Sequence, residues 1–223
     1  MRRDLPPALL ENLRDLARRQ GASLAAVGLA MVSAMLYRLT RQPDMVIGMG
    51  VAGRDSADTE GLIGFFVNVL PIRIQLDDDT EAGQLIDQIN QRLMAALDRR
   101  DVPFDMVVRA VAPQRAGARQ PLANVIFEYQ RFGDMTGGGE VGGTDAGLPP
   151  PPDDGGILGD AVAGLIDATT AKHDLIVFFE DEGARARFSF EYDTGRFAAS
   201  TIDLWMGFLI RITTALSARS NET

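Results

Sequence analysis

Leu9, Leu10, Leu13, Leu16 and Ala17 recur at three-to-four spacing, with Arg14, Arg18 and Arg19 between them. That pattern predicts an amphipathic helix over 8–19, stopped at Gly21. Residues 23–39 are apolar almost all round, so the next helix belongs inside, with Ser23 as its N-cap and Arg38 and Arg41 at its negative end. Met45, Val46 and Ile47 read as a short strand, and 53–58 as a loop. A β-rich run follows over 65–76. Asp77, Asp78, Asp79 and Thr80 then start a long amphipathic helix carrying Leu85, Ile86, Ile89, Leu93, Met94 and Leu97. A short helix begins near Pro103. Residues 122–130 alternate, with Ala123, Val125, Phe127 and Tyr129 on one face against Asn124, Glu128 and Gln130. Leu175 opens another strand. Ala186, Phe188, Phe190 and Tyr192 mark its antiparallel neighbour across the turn at Asp181, Glu182 and Gly183. A closing helix over 198–217 carries Ile202, Trp205, Met206, Leu209 and Ile212. Helices and strands mix, and the hairpin demands antiparallel pairing, so the expected class is α/β or α+β: a two-layer sandwich with a mixed sheet packed against helices.

Between 133 and 159 the pattern breaks. Gly137 to Gly139, Gly142, Gly143 and Pro149 to Pro152 give a segment too poor in apolar area to order itself, and strand signals resume after it. It reads as a flexible insert within one unit spanning 1–223.

Composition removes several function classes. The 223 residues carry 22 Lys plus Arg against 31 Asp plus Glu, a net charge of −9, which argues against a general nucleic-acid binder. There is no cysteine, hence no disulfide scaffold and no thiol nucleophile. His173 is the one histidine, so no histidine-rich metal site is expected. The apolar stretch over 24–36 is shorter than the ~18 residues that cross a bilayer. A cytoplasmic protein without membrane contact is the expectation.

Individual motifs divide in the same way. Gly48, Gly50 and Gly53 have the spacing of a dinucleotide loop, but residues 54–58 do not open an apolar helix, and position 73 is arginine. His173 beside Asp174 could act as a base if a nucleophile stood near, yet no nucleophile sits in a recognisable turn, and a structural histidine is the simpler account. The acids at 77–79 are explained by a helix N-terminus. More informative is Ile63-Gly64-Phe65-Phe66-Val67-Asn68-Val69-Leu70-Pro71-Ile72-Arg73, where Asn68 and Arg73 interrupt an apolar run and must find partners. Asp101-Val102-Pro103-Phe104-Asp105 places a proline for a first helical turn and an apolar anchor after it. Residues 115–122 form a basic, irregular approach to a strand.

Taken in order, these three segments resemble the condensation domain of nonribosomal peptide synthetases. The family motifs (I/V)GxFVNT followed by an arginine, HQDYPFE, and RDxSRNPL are similar to residues 63–73, 99–105 and 115–122. Residues 37–40 with 46–48, 51–54, 172–175 and 188–193 add likeness. Val69 stands where the family has Thr, Arg99 where it has His or Asn, Ala116 for Asp and Gln120 for Asn. The paired-histidine motif HHxxxDG is absent from this chain.

The resemblance therefore implies a C-terminal lobe with the chloramphenicol-acetyltransferase-like fold, about half of a two-lobed domain. It implies amide formation between an acyl or peptidyl thioester and an aminoacyl amine, each tethered to a carrier protein. This lobe would give a tunnel wall and the acceptor side, lined by Gly53, Arg54, Phe65, Asn68, Arg73, Pro103 and Phe104. Arg99 and Arg100 would meet an acidic carrier protein. No catalytic residue and no metal ligand is assigned to this chain. No cofactor is expected to bind it directly, and the phosphopantetheine arms of its carriers would enter the tunnel. Peptidyl and aminoacyl carrier proteins and an N-terminal condensation lobe are the implied partners, with self-association through an uncovered apolar face. Two alternatives remain: a carrier-docking or domain-docking scaffold that makes no bond, and a related acyltransferase or epimerisation-type member.

Overall fold

The computed structural model describes residues 1–52, 67–111, 122–131 and 173–219. Its elements are β1 (Arg2–Asp4), α1 (Pro7–Arg19), α2 (Leu24–Thr40), β2 (Asp44–Ala52), β3 (Val67–Gln75), α3 (Ala82–Leu97), α4 (Phe104–Val111), β4 (Val125–Arg131), β5 (Leu175–Asp181), β6 (Ala186–Tyr192) and α5 (Ala199–Arg219). The strands form one mixed sheet in the order β1-β6-β5-β4-β2-β3. β4 runs parallel to both β2 and β5, and the other pairs are antiparallel. The sheet packs against helices, as the alternation of strand and helix patterns predicted.

Helix α2 is the centre of the core. Ser23 Oγ accepts from the Ala26 amide at 3.1 Å and caps it as expected. At the other end Arg41 closes the helix in the left-handed region, with φ of 57°. Ala26, Val27, Leu29, Ala30, Met31 and Met35 are fully buried against Ile47, Met49, Phe127, Val177, Phe179 and Phe188 of the sheet. The approach is close because position 28 is glycine: a Cβ there would stand 2.6 Å from Phe179 Cδ1 and 3.1 Å from Phe127 Cζ. Phe179 in turn stacks on Phe188 at 4.6 Å and meets Tyr129 edge-on at 5.7 Å.

Local expectations are amended in three places. β2 runs to Ala52 rather than stopping at Ile47, because it is held on both edges. Gly48 and Gly50 therefore lie inside a strand and not in a nucleotide-binding turn. Gly48 leaves room for its neighbours, since a Cβ there would stand 2.5 Å from Ile126 Cδ1 and 2.8 Å from Val69 Cγ1. The acids at 77–79 do not open α3, which starts at Ala82. Asp77 Oδ1 instead accepts from Thr80 Oγ1 (2.6 Å) and the Asp79 amide (3.1 Å), closing its own turn. The second face of β4 is not polar throughout, since Ile126 is only 3% exposed there.

A buried carboxylate ties α1 to the sheet. Asp181 accepts from Tyr129 Oη (3.0 Å), Arg14 Nη2 (2.9 Å) and the Gly183 amide (3.0 Å). Burial and the adjacent Asp181 push the Tyr129 phenol well above its ordinary range. Among the described residues no single helix is long and apolar enough to cross a membrane. The predicted insert at 133–159 lies outside the described residues.

Candidate functional site

β3 is an edge strand whose side chains alternate between two surroundings. Leu70, Ile72 and Ile74 point into the helix layer and are buried, whereas Val67, Arg73 and Gln75 are exposed on the other face. Asn68 shares the helix-side face. It cannot be buried there bare, and all four of its hydrogen-bonding positions are engaged. Nδ2 donates to the carbonyls of Arg100 (2.7 Å) and Val102 (2.9 Å). Oδ1 accepts from the amides of Val69 (2.9 Å) and Phe104 (3.1 Å).

The last of these bonds fixes the start of α4. Pro103 precedes the helix, and its carbonyl accepts from the Met106 (3.0 Å) and Val107 (3.3 Å) amides. Asn68 then takes the Phe104 amide, which the helix itself leaves unsatisfied. One amide side chain thus clasps the turn at 98–103, the head of α4 and the edge strand together. Asn68, the Arg100 backbone, Pro103 and Phe104 are residues of the first two motifs, and here they form one cluster. Arg99 stands exposed beside them and donates to the Ala95 carbonyl at 2.9 Å. Met94, Val102, Met106 and Val111 expose apolar surface around this corner.

Arg73 is not part of the clasp. It lies five residues along β3 on the opposite face, and forms a two-pronged ion pair with Asp44 of β2: Nε to Oδ1 at 2.9 Å and Nη2 to Oδ2 at 2.5 Å. The hydrogen bond from Arg73 holds the Asp44 carboxyl below the usual carboxylate range. Gln75 adds a 3.4 Å bond to the same carboxylate, and Arg92 of α3 donates to the Arg73 carbonyl. Asp44's stabilising contribution is present above its ordinary pKa and is lost as pH falls through the depressed one. Arg73→Ala should therefore return the Asp44 titration, followed by carboxyl NMR, to the ordinary range. Its loss should lower stability only slightly at neutral pH, because the pair is open to solvent, and the difference from the parent should vanish in acid as Asp44 protonates.

Gly53, Arg54 and Phe65 lie outside the described residues, as does the third motif up to 121. His173 is half-buried and precedes β5. Sequence reasoning passed over Asp44, whose role depends on the pairing of two strands. It also passed over Glu128, whose signal is an acid set in the apolar strand Val125-Ile126-Phe127.

The family model described as Condensation domain matches residues 1–223. The chain is 29% identical over 226 residues to an isonitrile lipopeptide synthase of Mycobacterium tuberculosis, covering 99% of this chain and 8% of that protein. It is 33% identical over 199 residues to the phosphinothricin tripeptide synthetase PhsC of Streptomyces viridochromogenes, covering 89% of this chain and 17% of that protein. Among solved structures, the condensation domain of the monacolin K polyketide synthase MokA superposes with a TM-score of 0.75 at 16% identity, covering 98% of this chain and 46% of that one. The first condensation domain of the calcium-dependent antibiotic synthetase, in complex with a substrate analogue, gives 0.72 at 18% identity, covering 98% and 44%. These likenesses show the chloramphenicol-acetyltransferase-like fold, and the chain spans less than a fifth of the length of these curated relatives. With the family model matched from first residue to last, this chain belongs to the condensation-domain family.

Proposed function

We propose that the chain is the C-terminal lobe of a condensation domain that forms amide bonds between two carrier-bound thioesters. In that reaction the amine of an aminoacyl group attacks an acyl or peptidyl thioester; a C–N bond forms, the C–S bond breaks, and the thiol leaves with a proton. Positioning two tethered reactants accounts for much of the acceleration in such a transfer. The observation that carries the proposal is the order of three family motifs along the chain, with the first two drawn together by Asn68. Phosphopantetheine arms of the carriers enter as substrates' tethers. Gly53, Arg54, Phe65, Pro103 and Phe104 contribute to the tunnel wall, while Asn68 holds its corner and Arg73 stiffens the edge strand.

The paired histidines that the family uses to orient or deprotonate the amine are absent from the sequence. We therefore expect no amide product when two loaded carriers are incubated with this chain alone, and product when an N-terminal lobe is supplied. Product from the chain alone, read by mass spectrometry, would refute the division of labour. That same absence favours a second reading, a docking scaffold that makes no bond. Carrier binding with no product beside any N-terminal lobe would establish it.

Arg99 and Arg100 are the proposed carrier contact. Asp98 and Asp101 flank them, so docking depends on the two guanidinium groups together with the apolar surface of Met94, Val102 and Met106. The double variant Arg99→Glu/Arg100→Glu should weaken carrier binding by roughly tenfold at low salt, with a smaller effect at high salt. Calorimetry at two ionic strengths reads this directly. Unchanged affinity would move the docking site elsewhere.

A further inference from the structure

The sheet ends on one side at β3, a strand of nine regular residues paired with β2 along its whole length. Such an edge is a ready template for a further strand unless its outward backbone groups are occupied. In an antiparallel pair the N–H and C=O of one residue point the same way, and successive residues alternate between the partner strand and the open side. Side-chain bonds show which residues of β3 face outward. The Val69 amide donates to Asn68 Oδ1 (2.9 Å), the Gln75 amide donates to Gln88 Oε1 (3.1 Å), and the Arg73 carbonyl accepts from Arg92 Nη1. All three are odd-numbered positions. The remaining odd position among them is Pro71, which has no N–H to leave open.

Two of these partners come from α3. Gln88 and Arg92 are four residues apart, so they stand on one face about 6 Å apart along the helix. Gln75 and Arg73 are two apart on the strand, about 7 Å. Because α3 turns back along β3, rising helix numbers meet falling strand numbers, and the two repeats stay in step. The next position in the helix row is Ala96, whose side chain can neither donate nor accept, and the next outward position on the strand is Pro71. The Asn68 clasp then takes over at Val69. Arg92 Nη2 also donates to Gln75 Oε1 at 3.1 Å, which holds the guanidinium at the edge. We infer that Gln88 and Arg92 seal the β3 edge against strand addition by a second copy of this chain. A second β3, running antiparallel about a two-fold axis, presents the same nine-residue edge, so the pairing is self-complementary. The Arg73 N–H points outward with its carbonyl and is the donor that such a pairing would engage.

The test compares the full chain with its Gln88→Ala/Arg92→Ala variant by sedimentation over a range of concentrations, with hydrogen exchange read at the Arg73 amide. The variant should self-associate at least tenfold more tightly than the parent. Exchange at Arg73 should slow as the variant is concentrated, and should stay independent of concentration in the parent. Adding Pro71→Thr, which restores an N–H to the edge, should tighten the association further. Gln88→Glu/Arg92→Lys keeps an acceptor for the Gln75 amide and a donor for the Arg73 carbonyl, so it should behave as the parent does. The Arg73 readout separates edge pairing from association through apolar surface elsewhere, which would leave that amide unprotected. Thermal unfolding checks that each variant is folded; if the double variant is not, the two single variants repeat the comparison with one seal removed at a time. Association no tighter than the parent's, or association that leaves Arg73 exchange unchanged, would overturn the inference.

Discussion

Replacing Phe179 by alanine should cost about 3–5 kcal/mol of stability, the range for deleting a buried phenylalanine. Its ring is fully buried between Gly28 of α2, Phe188 of β6 and Tyr129 of β4. Truncation removes the partner on each side at once, and the helix above has no side chain at position 28 to fill the void. Trp205, the single tryptophan, packs at the edge of the same core against Phe197 (5.1 Å), so urea unfolding can be followed by fluorescence and by circular dichroism together. A loss below about 1.5 kcal/mol would mean that α2 settles onto the sheet without the ring, contrary to the close packing described.

Asn68→Ala should cost about 2–3 kcal/mol. Four hydrogen bonds are lost at roughly 0.5–1.5 kcal/mol each, and the sum is reduced because the Val102 carbonyl can turn to water. The effect should also be local in a way that a core cavity is not. Hydrogen exchange at the Phe104 amide should accelerate while amides of β4 and β5 keep their protection. Asn68→Asp separates the two halves of the clasp, since it keeps the acceptor for Phe104 and removes the donor to Arg100 and Val102. Carrier affinity in both variants should fall with the loosening of the 98–103 turn, because Arg99 and Arg100 sit on it. If both variants leave Phe104 exchange and carrier binding unchanged, the clasp is not what positions that corner.

Much of this architecture was legible from periodicity. The three-to-four spacing of Leu9 to Ala17, the all-apolar run after Ser23 and the alternation at Ala186 to Tyr192 each correspond to an observed element. These are patterns in which one residue's surroundings follow from its neighbours in sequence. The motif residues were also visible: an asparagine within an apolar strand run signals a satisfied polar group, although not its partners. The acids at 77–79 misled because a helix N-terminus and an aspartate-closed turn attract the same residues. Gly48 and Gly50 showed in sequence only the spacing of a loop motif without its context, whereas Ile126, Val69 and Glu128 come from other strands to occupy the space beside them.

What the sequence by itself determined was the class of the fold, the family, and the acyl-transfer chemistry to ask about, since hydrophobic period and ordered motifs are properties of one stretch of chain. Which residues meet was decided by the tertiary structure alone. Asn68 reaches residues more than thirty positions away, Arg73 turns to the opposite face to hold Asp44, and Glu128 lies over Gly50 only because β4 pairs parallel with β2. Such meetings depend on strand order and register, which burial of the whole core selects and which no local pattern encodes.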